Sequence, residues 1–140
     1  MDTTRYLPFL GRLLIGLPFA MSGFGKLAAY GQTTAMMAGA GLPLPLAYAV
    51  AVIVELGGGL LLIAGYQVRL AAVALAVFSI AAAASFHNNF ADQNQMIHFL
   101  KDVMIAGGLL QIAAFGAGAF SLDNRLSKSH GTVASDAPAR

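Results

Sequence analysis

The stretch of residues 44–66 constrains the fold more than any other part of the chain, because it is apolar except for Glu55 near its centre. A hydrocarbon core of about 30 Å is crossed by about 20 apolar residues in a helix, so this stretch is long enough to span a bilayer. A carboxylate in mid-span is costly, and such residues usually face a bundle interior or a wet cavity and have a partner. The surroundings of Glu55 therefore become the central question.

The composition favours lipid as the solvent of the whole chain. Of the 140 residues, 58% are hydrophobic and only 10% are charged, whereas a typical soluble domain is about 25% charged. The absence of cysteine excludes disulfides, thiolate metal sites and thiol redox chemistry carried by this chain. The eight basic residues are spread along the sequence and do not cluster, so nucleic acid is not a predicted partner.

Hydropathy predicts four spans and a single domain: an all-α membrane protein, an antiparallel four-transmembrane-helix bundle. The predicted spans are residues 7–27, 44–66, 70–86 and 96–120. Arg12 interrupts the first apolar run, which favours a retained span over a signal peptide. Residues 121–140 are polar and lack apolar periodicity, which predicts a mostly disordered tail. Glycines at 57–59 and 107–108 predict a close contact between the second and fourth spans.

The distribution of basic residues predicts the orientation in the membrane. Four spans place both termini on one side, and more basic residues fall on that side than on the other. Those on the side of the termini are Arg5, Arg69, Arg125, Lys128 and Arg140; those on the opposite side are Lys26 and Lys101. The positive-inside rule then predicts cytoplasmic termini and a cytoplasmic tail.

Glu55 has three candidate partners: Arg12, Lys26 and Lys101. Arg12 is favoured because a guanidinium tolerates pairing in a low-dielectric medium better than an ammonium does, although Arg12 could instead snorkel toward headgroups. The functional hypothesis for Glu55 is a proton-accepting carboxylate beside a quinone-like or other small ligand. The alternative is an ion pair or hydrogen bond that only locks helix packing.

A polar cluster is predicted at the opposite mouth of the bundle from the termini. His98, Lys101 and Asp102 stand at i, i+3 and i+4 and share one helical face, and His87 ends the third span just across the loop. This cluster could bind a polar head group or relay protons toward Glu55; the alternative is a belt of solvated interfacial residues. Together with Asp92 the two histidines fit no compact zinc spacing, so no metal site is predicted.

Several short motifs in a fixed order resemble one family. They are Arg12, SGFGK at 22–26, GLPLP at 41–45, ELGGGLLLIAGY at 55–66 followed by Arg69, FH at 86–87, KD with AGGLL at 101–110, and GAGAFSLD at 116–123. Together these resemble the DoxX family of small bacterial membrane proteins, in particular its YphA-like members, from about residue 8 to 123. The resemblance implies a four-helix, multi-pass protein of the bacterial inner membrane, and some relatives are subunits of thiosulfate:quinone oxidoreductases. Asp102 departs from the pattern, since relatives often carry asparagine there.

The leading functional hypothesis is a subunit or accessory of a quinone-linked membrane oxidoreductase system, with a buried polar site around Glu55. A non-covalently bound quinone is the candidate cofactor. The chain has no heme, flavin or Rossmann motif, so it would not move electrons unaided, and no catalytic residue is predicted. Its predicted partners are the lipid bilayer, a membrane or periplasmic oxidoreductase, and a second copy of the chain. The alternatives are a non-catalytic assembly or interaction protein and a small-solute or proton-coupled carrier.

Overall fold

Four helices in the computed structural model, which describes residues 2–135, are long and apolar enough to cross a membrane: Thr3–Ala28, Leu46–Ala64, Val68–Phe86 and Gln93–Phe115. The described residues contain no strand. The all-α, four-span architecture predicted from hydropathy is therefore confirmed.

Residues 2–135 form seven α-helices, and a π-helical turn interrupts the second span. They are α1 (Leu7–Ala28), α2 (Tyr30–Gly39), α3 (Leu46–Val52), the π turn (Ile53–Gly57), α4 (Gly58–Ala64), α5 (Val68–Phe86), α6 (Gln93–Phe115) and α7 (Leu122–Ser135). The second span thus consists of α3, the π turn and α4. The short helix α2 lies between the first and second spans.

The bundle has two ends with different contents. The end that carries the connection at residues 65–67 and the segment at residues 116–121 is called the proximal end; the end that carries α2 and the loop at residues 87–92 is the distal end. The fourth span stops at Phe115 and not at the predicted residue 120. Gly116 and Gly118 have φ angles of 84° and 78°, a region that ends a helix and that glycine adopts without steric cost.

The glycines of the second span pack against the first span, so the predicted contact with the fourth span is wrong. A Cβ on Gly59 would lie 2.6 Å from the Ala20 nitrogen and 2.7 Å from the Gly16 oxygen, both in α1. A Cβ on Gly107 would meet nothing within 4 Å. The first and second spans approach backbone to backbone, and the fourth span packs mainly on the third.

The buried core lies between α4, α5 and α6. Leu62, Leu75 and Leu109 are fully buried there, each on a different helix. Large apolar side chains on the outer faces are mostly exposed, such as Phe115 at 82% exposure. Their exposure fits a body that is surrounded by lipid and not by water.

The tail is more ordered than predicted, because α7 continues to Ser135. The Ser121 hydroxyl accepts a hydrogen bond from the Asn124 backbone N–H at 3.2 Å, which caps the start of the helix. The prediction of a mostly disordered tail is therefore wrong through residue 135. Its remaining part, residues 136–140, lies outside the described residues.

Candidate functional site

Glu55 forms an ion pair with Lys26, and not with Arg12 as the sequence favoured. The Lys26 Nζ lies 2.6 Å from Glu55 Oε2, and Glu55 is only 6% exposed. Ser22, one helical turn before Lys26, donates its hydroxyl to the carboxylate at 3.3 Å and accepts a hydrogen bond from Lys26 at 2.9 Å. Each of the three side chains contacts the other two, and the group lies on the facing sides of the first and second spans.

Helix geometry explains why lysine and not arginine reaches the carboxylate. Arg12 and Lys26 are 14 residues apart on α1, which corresponds to about 21 Å along the axis. Arg12 contacts Leu62, seven residues from Glu55 on the antiparallel second span, or about 10 Å toward the proximal end. Lys26 lies on the distal side, where the Tyr48 hydroxyl donates to its carbonyl oxygen at 3.1 Å.

Two backbone features hold the pair together. A Cβ on Gly23 would lie 2.5 Å from the Leu56 nitrogen, so only glycine allows α1 to approach the second span this closely. The π turn, Ile53–Gly57, has Glu55 at its centre. Single π turns inside α-helices are rare and occur frequently at functional sites.

Arg12 neither pairs with Glu55 nor extends toward the lipid headgroups. It is 1% exposed, so it does not snorkel. Its Nη1 donates to the Leu62 oxygen at 2.6 Å and to the Ile63 oxygen at 3.4 Å, and its Nη2 donates to the Phe120 oxygen. The last carbonyls of a helix have no partner within it. Arg12 therefore caps the second span and attaches the segment after the fourth span to it.

Asp123 connects the start of α7 to the connection between α4 and α5 at the proximal end. Its carboxylate accepts hydrogen bonds from the backbone N–H groups of Gln67 at 2.8 Å and Val68 at 3.0 Å, and its own N–H donates to the Gly65 oxygen at 2.9 Å. This places a negative charge at the start of α5, where the helix dipole stabilises it. Gln67 has the left-handed φ of 48°, and the contact with Asp123 holds it there.

Glu55 lines two cavities. The first, called the lysine cavity, has a volume of about 330 Å³ and is bounded by α1, α2, the second span and α5. Its polar groups come from Lys26, Glu55, Ser85 and His87. Its apolar lining includes Met36, Met37, Phe78 and Phe86. The second, called the aspartate cavity, has a volume of about 280 Å³. Its polar lining comes from Ser22, Glu55 and Asp102, and its apolar lining includes Pro18 and Phe19.

The structure brings together three of the four residues of the predicted distal cluster. The rings of His87 and His98 are stacked with centroids 5.0 Å apart, and Asp102 is close enough to interact electrostatically with both. Lys101 is exposed and has no part in the Glu55 ion pair. Within the described residues, no three His, Cys, Asp or Glu side chains are placed to hold a metal ion.

His87 also has an unsatisfied polar atom. Its Nδ1 is buried, and no hydrogen-bond partner for it exists in the described part of the chain. A buried nitrogen without a partner is unfavourable, by about 1–3 kcal/mol. The same residue lines the lysine cavity.

Comparison with known proteins identifies the family. The family model named DoxX matches residues 7–88, a range that includes Arg12, Lys26, Glu55 and His87. The chain belongs to the DoxX family. This DoxX protein is 36% identical over 122 residues to inner membrane protein YqjF of Escherichia coli K12, which covers 85% of the chain and 91% of that relative. It is 34% identical over 140 residues to inner membrane protein YphA of the same organism, with 89% and 100% covered.

No solved structure matches this DoxX protein significantly. The family assignment and the four apolar helices together establish an integral, multi-pass protein of the inner membrane. Asp102 and Asp123 lie beyond the residues that the family model matches. Their contacts are those that the structure shows.

Proposed function

We propose that this DoxX protein is the membrane subunit or accessory of a quinone-linked oxidoreductase system, and that the lysine cavity binds the quinone head group. The observation that carries the proposal is that the Lys26–Glu55 pair borders an apolar cavity and is not packed on all sides. A volume of about 330 Å³ falls at the lower end of the range for small-molecule sites, about 300–1,000 Å³.

The lining of the cavity matches the chemistry of a quinone. A quinone presents two carbonyl oxygens on a flat apolar ring, and these oxygens accept hydrogen bonds. Lys26 supplies an ammonium donor, and His87 contributes an imidazole to the lining. Phe78, Phe86 and Met37 supply apolar contacts for the ring. Glu55 stands beside the ammonium group, where it could accept or return a proton.

In this proposal the DoxX protein binds the quinone and a partner protein supplies the electrons. The chain has no cysteine, and its sequence has no heme or flavin motif of its own. A membrane or periplasmic oxidoreductase is the proposed partner. Self-association of the chain stays a prediction.

Thermal unfolding of the purified protein tests the quinone site. A ligand that binds only the folded state must raise the stability, so we expect a short-chain ubiquinone or menaquinone to raise the Tm of the wild type by a few °C. Glu55→Gln and Lys26→Met should abolish this shift, while Lys101→Gln, a change at an exposed lysine of the same end, should keep it. An absent shift in the wild type with both quinones would contradict the proposal.

The ion pair itself favours a second candidate, a non-catalytic assembly protein in which the pair only fixes helix packing. The short distance of 2.6 Å and the hydrogen bonds from Ser22 are what such a lock requires. Removal of one partner of a buried pair is strongly destabilising, by about 3–5 kcal/mol. If Lys26→Met and Glu55→Gln lower the Tm in the absence of ligand and quinone shifts neither them nor the wild type, this candidate replaces the first.

We also propose that the proximal end faces the cytoplasm, because Arg5, Arg69 and Arg125 lie there and, within residues 2–135, only Lys26 and Lys101 are basic residues toward the distal end. The chain lacks cysteine, so single introduced cysteines report on sidedness without background. A cysteine at the exposed Asn89 should react with an impermeant maleimide in intact cells, and one at the exposed Ser127 of α7 should react only after permeabilisation. The reverse pattern would invert the orientation.

A further inference from the structure

A third cavity lies at the proximal end, far from Glu55, and the proposed function gives it no role. This proximal cavity has a volume of about 450 Å³ and is formed by the start of α5, the end of α6 and the segment that leads into α7. The side chains that matter for its chemistry are Gln67, Arg69, Phe115, Ser121, Asp123 and Asn124.

Most polar groups of the proximal cavity already have partners. Asp123 accepts from two backbone N–H groups. Ser121 donates to the Gly118 oxygen at 2.8 Å, and the Asn124 amide donates to the Ala119 oxygen at 2.9 Å. These three side chains build the walls of the cavity, so a ligand would find little unused capacity in them.

The neutral Gln67 side chain makes no hydrogen bond within the described residues, and Arg69 is the charged exception. Its guanidinium lies against Gly116, where an added Cβ would be 3.4 Å from Nη2 and 3.6 Å from Nε. In residues 2–135 no carboxylate lies within ion-pair distance of it and no hydrogen bond occupies it. A guanidinium has five N–H donors and no acceptor. Apart from the neutral Gln67 amide, the side chain in the proximal cavity with free hydrogen-bonding capacity is therefore a cationic donor, which fits an anion.

The position of the proximal cavity indicates the kind of anion. The third span begins at Val68 and the fourth ends at Phe115, so the cavity lies at the depth of the lipid headgroups. Phe115 lines the cavity and is 82% exposed, which gives an acyl chain an apolar surface beside the charged group. Arginine binds phosphate with two parallel hydrogen bonds, and the Asp123 carboxylate of the same cavity already accepts from two backbone N–H groups.

From these contacts we infer that the proximal cavity binds the phosphate group of an anionic phospholipid through Arg69. The inference is independent of the quinone proposal, since it involves neither the same cavity nor the same end of the bundle. The bound lipid would bridge α5 and the segment after α6, and it would add to the contacts that Arg12 and Asp123 already make there.

The test is thermal unfolding of the delipidated full chain in detergent, with phosphatidylglycerol, phosphatidylcholine or inorganic phosphate added. We expect phosphatidylglycerol to raise the Tm of the wild type by roughly 5 °C near saturation, and phosphatidylcholine to raise it by less than half as much. Arg69→Gln should lose at least half of the shift. Arg125→Gln is the matched control, because it removes an exposed arginine of the same end that does not line the cavity.

Each outcome decides between the sources of the effect. An equal phosphatidylglycerol shift in Arg69→Gln and in the wild type would overturn the inference, and so would the absence of a shift in the wild type. If inorganic phosphate alone reproduces the full shift and Arg69→Gln abolishes it, the anion site stands but its occupant is soluble phosphate and not lipid. Arg69→Lys keeps the charge without the paired donors, and a partial shift in it would support the arginine–phosphate geometry.

Discussion

Replacing Arg12 with methionine is expected to lower the free energy of unfolding by roughly 3–6 kcal/mol. The change leaves the Leu62 and Phe120 carbonyl oxygens without their charged donor, and each hydrogen bond from a charged group contributes about 1.5–3 kcal/mol. Methionine fills much of the arginine volume, so the loss reports on the hydrogen bonds more than on packing. Reversible unfolding in mixed detergent and dodecyl sulfate micelles gives the free energy directly.

Two further variants make the Arg12 result specific. Arg12→Lys keeps the charge and at least one donor, so its loss should be about half as large. Arg125→Met removes an exposed arginine at the same end and should change the stability by no more than about 0.5 kcal/mol. An Arg12→Met protein as stable as the wild type would show that water replaces the guanidinium at these carbonyls.

The second large effect is expected at Gly59. A leucine there would drive its Cβ into the Ala20 nitrogen and the Gly16 oxygen, and backbone atoms cannot move aside as a flexible side chain can. Overpacking typically costs about 1–3 kcal/mol and more where nothing can yield, so we expect a loss above about 3 kcal/mol. The same unfolding experiment measures it.

Gly107→Leu is the matched control for Gly59→Leu. It makes the same chemical change inside a span, but a Cβ on Gly107 meets nothing within 4 Å. Leucine also has a higher helix propensity than glycine, by roughly 0.8 kcal/mol, so this variant should be neutral or slightly more stable. A comparable loss in both variants would mean that leucine disturbs the span for a reason other than the contact with α1.

The fold could be predicted from sequence because lipid imposes a simple rule on it. Every apolar run near 20 residues must become a helix, and the four predicted spans agree with the observed ones to within about five residues at each end. The neighbours of each helix could not be predicted the same way. Gly59 and Gly107 both stand in apolar stretches that contain adjacent glycines, and only the packing decides that the first faces α1 and the second meets no other part of the described chain.

The partner of Glu55 could not be predicted from the chemistry of the candidate side chains alone. Arg12 was preferred for Glu55 because a guanidinium pairs well in a low dielectric, but the antiparallel register places it nearer to Leu62. Lys26 reaches Glu55 because Gly23 allows α1 and the second span to touch. That approach is a property of two helices, and neither segment alone reveals it.

Asp123 was missed for a related reason. Polar residues without apolar periodicity predict disorder, and that prediction ignored contacts with distant parts of the chain. The signal available in the sequence was a serine, an aspartate and an asparagine directly after the predicted end of the last span at residue 120, a pattern typical of helix starts. The tight connection at residues 65–67 leaves backbone N–H groups at the start of α5 unpaired, and Asp123 satisfies two of them.

The contacts of Arg12 have a consequence for the synthesis of the protein. The guanidinium belongs to the first span, but its acceptors lie 50 and 108 residues later in the chain. While the first span enters the bilayer, its buried cation has none of its final partners, and a charge in a single helix is costly in lipid. Arg12 gains the last of its acceptors only when the segment around Phe120 has been synthesised and packs against the bundle. Arg12 is inserted early, but its burial becomes stable only after nearly the whole polypeptide has been made.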